Sequence, residues 1–431
     1  MAAAAVVALI VGIAPLVATR RLRISPLLRA ATSAGSARGR HTRALLVTLE
    51  IGAAVILTVG AGLMLQSVWH LQRVNPGFHE PASILTMQVQ PSGQQFRNAS
   101  VAEYYERVFE RVRSVAGVAD AGAIQHLPFS GYSWGANIDV EGHEVPAGGT
   151  RHAAGLRIVT PGYFAALGQP ILAGRGIERA DLSRDVVVVN AALARRFFGT
   201  PSAAVGRSLR IRGAALQGPW LSIVGVVGDV HHVSLTEETG PEIYTVVGKN
   251  TIPEMMLAVR ADGDPRVLVA AVREAIWSID RSVPVSNIET MEAKIGRSIG
   301  RPRLLMTLLG AFAALGVMIA ALGVYGVVAY SVSQRRREIG IMMALGAARA
   351  LVMRSVLREG LIYAGAGLLV GLPAAFLASR LLNTLVFGVR PTDFATYAAI
   401  ASTIVGLVAA ACALPAYRAS RIDPIVVLKD A

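Results

Sequence analysis

The chain has 431 residues and a mean hydropathy of +0.50; 53% are hydrophobic and only 16% charged, too apolar for an ordinary soluble domain. Its formal net charge of +14 sits almost wholly in three short segments, with +7 in 19–43, +5 in 331–358 and +1 in 416–431, while 70–302 sets 23 basic against 22 acidic residues. Basic runs beside apolar ones mark the cytoplasmic side of a membrane, and these lack the interleaved aromatics of a single-strand platform, so nucleic acid is excluded as their partner.

Crossing a hydrocarbon core of about 30 Å takes about 20 apolar residues of helix. Ala2–Ala18, with seventeen uncharged residues, is a first predicted span at the short limit. A cleaved signal peptide would carry its positive charge before the apolar run, whereas Arg20, Arg21 and Arg23 follow it. Ala44–Trp69 is a second span and contains one acid, Glu50. An ionisable group in a span is a functional candidate. Glu50, about 9 Å along the helix at 1.5 Å per residue, is also expected to reach the interface or pair with Arg43. Leu304–Tyr330 runs for twenty-seven residues without a charge and is followed by Arg335, Arg336 and Arg337. Gly360–Ser379 and Phe394–Tyr417 complete five predicted spans. Alternating them with the basic segments inside puts 70–302 and 381–393 outside the cytoplasm, and 19–43, 331–358 and the tail within it. The expected divisions are 1–43 (first span and basic linker), 44–69, 70–302 and 303–431. A weak repeat relates Pro15…Ala18-Thr19-Arg20…Pro26 to Pro415…Ala419-Ser420-Arg421…Pro424, so the first thirty residues read as the last span of another copy of the C-terminal unit.

Residues 70–302 read as one large or two small α+β domains. Tyr105, Val108, Phe109 and Val112 recur at helical spacing within Ala102–Val115. Asp185–Asn190 and Leu221–Asp229 read as buried strands, Ala191–Phe198 as a short helix and Pro265–Ile279 as an amphipathic one. Cys412, the single cysteine, rules out an intramolecular disulfide and reads as a small apolar filler.

Three chemical signals are weaker than they look. Gly131-Tyr132-Ser133-Trp134-Gly135 fits the pattern of a nucleophile elbow, which needs a strand-to-helix turn, yet Ala136–Glu141 alternates like a strand. Adjacent His231 and His232, near Glu237 and Glu238, lack metal-ligand spacing and read as a solvated loop. No phosphate-cradling Gly-rich loop with Lys and Ser/Thr occurs, so no metal, catalytic or nucleotide site is assigned to this chain. Small residues do suggest close helix packing. Gly367 and Gly371 form a small-xxx-small pair, and Gly310, Gly316, Gly323 and Gly326 line the third span.

The inner segment is the most telling. Ile339, Met342 and Met343 are expected on one helical face, and Ala344-Leu345-Gly346-Ala347 on a tight turn or close-approach surface. This is either a membrane-surface helix or a docking helix for a cytoplasmic partner. Arg337-Glu338-Ile339-Gly340-Ile341-Met342-Met343-Ala344-Leu345-Gly346-Ala347 resembles the coupling segment of MacB/FtsX-type permeases of ABC transporters, and Leu385–Asp393 their loop between the last two spans. Thr160–Gly168, Gly174-Arg175 and Val188–Phe197 resemble the periplasmic core domain of that family. The likeness is to duplicated acidobacterial-type permeases in particular, with one full unit and the last span of a truncated upstream unit. Met342 departs from the Arg common at its position.

The resemblance implies an α-helical integral membrane protein of the bacterial inner membrane, with a large α+β periplasmic domain between the second and third spans. It implies a non-catalytic subunit in which Arg336, Arg337, Glu338 and the residues through Ala347 meet a separate ATPase. ATP and Mg would be held there and no cofactor in this chain. It further implies a homodimer or a pairing with another permease chain, and a periplasmic adaptor as a compatible partner. Export of peptides, macrolide-like compounds or lipoproteins, and mechanical control of an envelope enzyme, both fit.

Overall fold

The computed structural model describes residues 37–91, 99–143, 151–212, 217–247, 253–381, 387–388 and 393–421. The predicted span Ala2–Ala18, and with it the N-terminal part of the repeat, lies outside them, as does most of the Leu385–Asp393 loop. The chain divides into two compact units, one of residues up to Gln72 with those from Arg301, the other Arg73–Gly300. The first unit opens with α1 (Ala37–Leu71), which contains the expected second span.

The second unit is α+β. Its strands are β1 (Ile84–Val89), β2 (Val118–Ile124), β3 (Trp134–Val140), β4 (His152–Val159), β5 (Ile171–Gly174), β6 (Val186–Asn190), β7 (Ser208–Arg212), β8 (Gln217–Val227), β9 (Glu242–Val246), β10 (Met255–Ala261) and β11 (Val285–Thr290). Its helices are α2 (Ala99–Arg113), α3 (Tyr163–Leu167), α4 (Ala191–Phe198), α5 (Pro201–Ala204), α6 (Val269–Trp277) and α7 (Met291–Ser298). Two sheets are present in effect. An antiparallel one has the order β11-β1-β10-β2. A closed ring runs β4-β3-β7-β8-β6-β9 and returns to β4 through the parallel β4–β9 pairing. They join at the ends of β2 and β4, where Ile124 pairs with Val159, Gln125 N donates to Ile158 O at 3.0 Å and Thr160 N donates to Ala123 O at 2.9 Å.

Each sheet has its own core. The stripe Tyr105, Val108, Phe109 and Val112 of α2 is buried with Val272 and Ile276 of α6 against Leu85, Met87, Leu257 and Val259. The ring encloses Ile138, Val140, Val187, Val189, Leu209, Ile223, Val226 and Ile243, with Leu193 and Phe197 of α4 packed on them. Asn190 starts α4 by accepting a bond from Leu193 N at 3.0 Å, and its amide donates to Gly240 O at 2.8 Å. The expected helix Pro265–Ile279 is in part a 3-10 turn, Pro265–Leu268, because the Asp264 carboxylate takes Arg266 N ahead of the α-helix proper.

Arg175, singled out in the sequence, holds a buried acid. Its Nη1 and Nη2 donate to Asp181 at 2.5 and 2.9 Å, and Asp181 is fully buried. The Arg175 guanidinium holds this carboxyl below the usual aspartate range, aided by Glu178 N. The folded state therefore binds its proton less tightly than the unfolded chain. The stability it contributes is full at neutral pH and is lost as pH falls through the folded value, below the unfolded value of about 3.9. Asp181→Asn is expected to cost about 1–3 kcal/mol at pH 7. Its deficit against the parent should narrow as thermal unfolding is followed from pH 5 to 3; an unchanged gap would refute the linkage.

The first unit resumes with α8 (Gly300–Gln334), α9 (Arg336–Ala344), α10 (Arg349–Leu381) and α11 (Phe394–Ala419). Among the described residues four helices, α1, α8, α10 and α11, are long and apolar enough to cross a membrane. The helix of the third described span starts at Arg349, so residues 349–358 of the expected inner segment extend that helix.

Candidate coupling site

The inner segment folds as α9 and a turn. Gly346 has φ +90° and sits just past the helix end. Its N–H reaches Met343 O at 3.1 Å, and Ala347 N reaches Met342 O at 3.0 Å. These paired bonds satisfy two terminal carbonyls and need the left-handed residue that glycine supplies. The expected tight turn at Ala344–Ala347 thus has a definite form, and it redirects the chain into α10.

The faces of α9 differ from the sequence expectation. Ile339 is 6% exposed, within the cluster that holds Val324 and Val328 of α8, Val352 and Val356 of α10, and Ala416 and Ala419 of α11. Met343 packs against that cluster and Gly340 is buried. Met342 is 48% exposed and points away, as do Ile341 and Leu345. Ile339, Met342 and Met343 therefore do not share one free face. Helical spacing puts Ile339 and Met343 four apart on the bundle side, and Glu338, Ile341, Met342 and Leu345 at i, i+3, i+4 and i+7 on the solvent side. Arg336, Arg337 and Ala344 are also exposed.

The bundle beneath is held by close backbone approach. A Cβ on Gly371 would lie 2.9 Å from Val55 Cβ and 3.0 Å from Gly52 Cα; one on Gly367 would lie 2.6 Å from Ile51 Cβ. The Gly367/Gly371 pair thus faces α1, where Gly52, unmarked in the sequence reading, completes the contact. Gly316 faces Ala54 and Leu57, with 3.4 Å to the latter from an added Cβ. Gly323 leaves the space that the Glu50 carboxylate fills. Gly310 and Gly326 meet nothing within 4 Å, so the third span's glycines do not act as one stripe.

Glu50 does not pair with Arg43. Its Oε2 is buried without a hydrogen-bond partner, while the Arg43 guanidinium lies 4.2 Å from the Tyr330 ring centroid. At the other end of the bundle, the Asp393 carboxylate caps α11 and accepts the Thr396 hydroxyl at 2.5 Å, which in turn accepts Gln66 Nε2 of α1 at 2.6 Å.

The weaker signals of the second unit also have their places. Ser133 leads directly into strand β3 and accepts a 3.3 Å bond from Arg157 Nη2, which is not an elbow geometry. His231 sits on a loop, its ring nitrogen 3.0 Å from Glu237 O. His232 departs from the expected solvated loop: it is 5% exposed, with Nε2 3.3 Å from Glu242 Oε2. Burial, and then the nearby Arg157 charge, push its pKa well below the ordinary histidine value. Among the described residues no three His, Cys, Asp or Glu side chains converge as for a metal.

Membrane-length helices and an α+β domain inserted between the first described span and the next define a permease with a large extracytoplasmic domain. Residues 52–278 match the MacB-like periplasmic core domain and 310–424 the FtsX-like permease C-terminal domain, so the chain belongs to the MacB/FtsX-type permease family. It is 25% identical over 300 residues to the macrolide export ATP-binding/permease protein MacB of Hyphomonas neptunium, covering 65% of this chain and 44% of that one. It is 25% identical over 289 residues to the pyoverdine export ATP-binding/permease protein PvdT of Pseudomonas syringae pv. syringae, covering 62% and 41%. The chain thus spans less than half the length of these curated relatives. The crystal structure of the periplasmic region of MacB from Actinobacillus actinomycetemcomitans aligns over 54% of this chain and 98% of its own, at 14% identity and TM-score 0.34.

Proposed function

We propose that this chain is the permease subunit of an ABC transporter, and that α9 is where a separate ATPase docks. The observation that supports it is the solvent-side stripe Glu338, Ile341, Met342 and Leu345 on a helix whose other face, Ile339 and Met343, is set into the bundle. A load placed on that stripe passes through Ile339 to α8, α10 and α11 without a flexible joint. ATP and Mg belong to the partner; this chain carries the motion to its periplasmic domain. The bacterial inner membrane is its location, with the domain outside the cytoplasm and the basic segments within. It acts as a homodimer or beside a second permease chain. The names of the relatives, which export macrolides and pyoverdine, support export of a compound of that kind, or of a peptide or lipoprotein.

The test is co-purification with a cognate ATPase, read together with the thermal stability of the permease. Glu338→Lys and Leu345→Asp should each weaken binding at least about tenfold, or 1.4 kcal/mol, and leave stability unchanged. Ile339→Asp should lower the stability itself, because it buries an unpaired charge in the bundle. Wild-type binding by both outward variants would remove α9 as the docking site.

A further inference from the structure

The loop 228–232 of the second unit fastens the segment that follows α1 to the strand ring. His231 N donates to Pro76 O at 3.1 Å. Gly77 packs so closely that a Cβ there would come to 2.8 Å from Val230 Cα and strike Asp229 O. On its other sides the loop is tied to three further places. Phe129 N donates to His232 O at 2.7 Å, and Gly228 N to Pro170 O at 2.8 Å. Asp229 accepts Ala192 N at 2.8 Å and Arg195 Nη2 at 2.6 Å, both from α4.

His232 pins this loop from beneath. Its side chain is 2% exposed, and Nε2 lies 3.3 Å from Glu242 Oε2. A carboxylate can only accept, and the same oxygen also takes the Tyr244 hydroxyl at 2.9 Å, so Nε2 carries the imidazole proton. Nδ1 is then an acceptor, buried and bonded to nothing among the described residues. A second proton on Nδ1 would find no acceptor there. It would also add a positive charge near Arg157, whose Nε and Nη1 are themselves buried without partners. The closed loop therefore admits only the neutral imidazole, whereas a histidine in water takes its proton at about pH 6.5.

We propose that loop 228–232 is an acid-released latch, which holds the segment after α1 on the ring while His232 is neutral and lets it go when His232 becomes charged. Around His232 stand Arg157 of β4, Glu242 and Tyr244 of β9, Tyr163 of α3, His126 on the loop that Phe129 ties in, and Asp229, His231 and Glu237 on its own loop. Burial, and then the Arg157 charge, hold the His232 pKa well below the ordinary value. The closed state thus binds this proton less tightly than the released one, and its hold is full above about pH 6.5 and lost tenfold per unit below it. Glu242 acts the other way, since burial raises its pKa. It sits on β9 and keeps its 2.7 Å pairing with Arg157 when the loop leaves, so its affinity changes less. The latch is independent of what docks on α9.

The test is hydrogen exchange of the full chain in detergent, corrected for the intrinsic effect of pH. The amides of His231 and Phe129, which close the latch, should lose about tenfold in protection between pH 7.5 and 5.5. Both should exchange faster than the amide of Val259 in the core of the antiparallel sheet, because the loop opens without global unfolding. His232→Gln keeps a donor for Glu242 and removes the titrating group, so it should abolish the pH dependence, while His126→Gln and His231→Gln should retain it. Protection that stays level over this range in the parent would overturn the latch. So would loop amides that exchange only as slowly as Val259, or a pH dependence that survives in His232→Gln.

Discussion

Gly371→Leu is expected to prevent the membrane unit from folding. Val55 Cβ and Gly52 Cα stand 2.9 and 3.0 Å from where the first side-chain carbon would be, so α1 and α10 would have to separate. Even Gly371→Ala should cost about 1–3 kcal/mol by overpacking. Moving the helices apart also opens the core that Ile51 and Val55 share with Ala364 and Ala375. Gly310→Leu, where no atom lies within 4 Å, serves as the comparison and should leave the detergent-solubilised protein monodisperse with an unchanged melting temperature. If Gly371→Leu melts like Gly310→Leu, the close α1–α10 approach is wrong.

Arg157→Met should cost about 3–5 kcal/mol, the range for removing one partner of a buried ion pair. The side chains of Arg157 and Glu242 are 3% and 9% exposed, so the stranded carboxylate cannot turn to water. Burial already raises the Glu242 pKa against the pull of Arg157 and Tyr244. Without Arg157 the opposing pull weakens and the folded protein binds that proton more tightly than the unfolded chain does, so acid favours folding. The deficit against the parent should thus shrink between pH 7.5 and 5. Arg157→Met/Glu242→Gln should recover more than half of it at pH 7.5. Equal deficits at both pH values, or a double variant no better than the single, would contradict this account.

What the chain alone determined is what local pattern can encode. Uncharged runs marked where the four long apolar helices fall, because solvation of a helix in lipid is a property of each segment by itself, but not where each helix begins: α10 starts at Arg349, well before the expected Gly360. The stripe Tyr105, Val108, Phe109, Val112 and the run Val186–Asn190 likewise announced α2 and β6, since 3.6-residue and short apolar periods need no distant partner. The coupling segment was legible as an element through its family likeness and its basic flank.

Which residues of that segment face outward was not legible. Ile339, Ile341, Met342 and Met343 cover more than half the circumference of a short helix, so the sequence holds several apolar faces and only the bundle selects one. The same holds for the glycines. Gly310 and Gly371 look alike in sequence, and what separates them is whether α1, some 300 residues away in the chain, comes to rest against them. His232 was read as solvated because nothing in its neighbourhood told of Glu242 and Tyr244 on β9, or of Arg157 on β4. Those strands meet only when the parallel β4–β9 pairing closes the ring, and that closure joins segments about 85 residues apart through backbone bonds that any side chain could make.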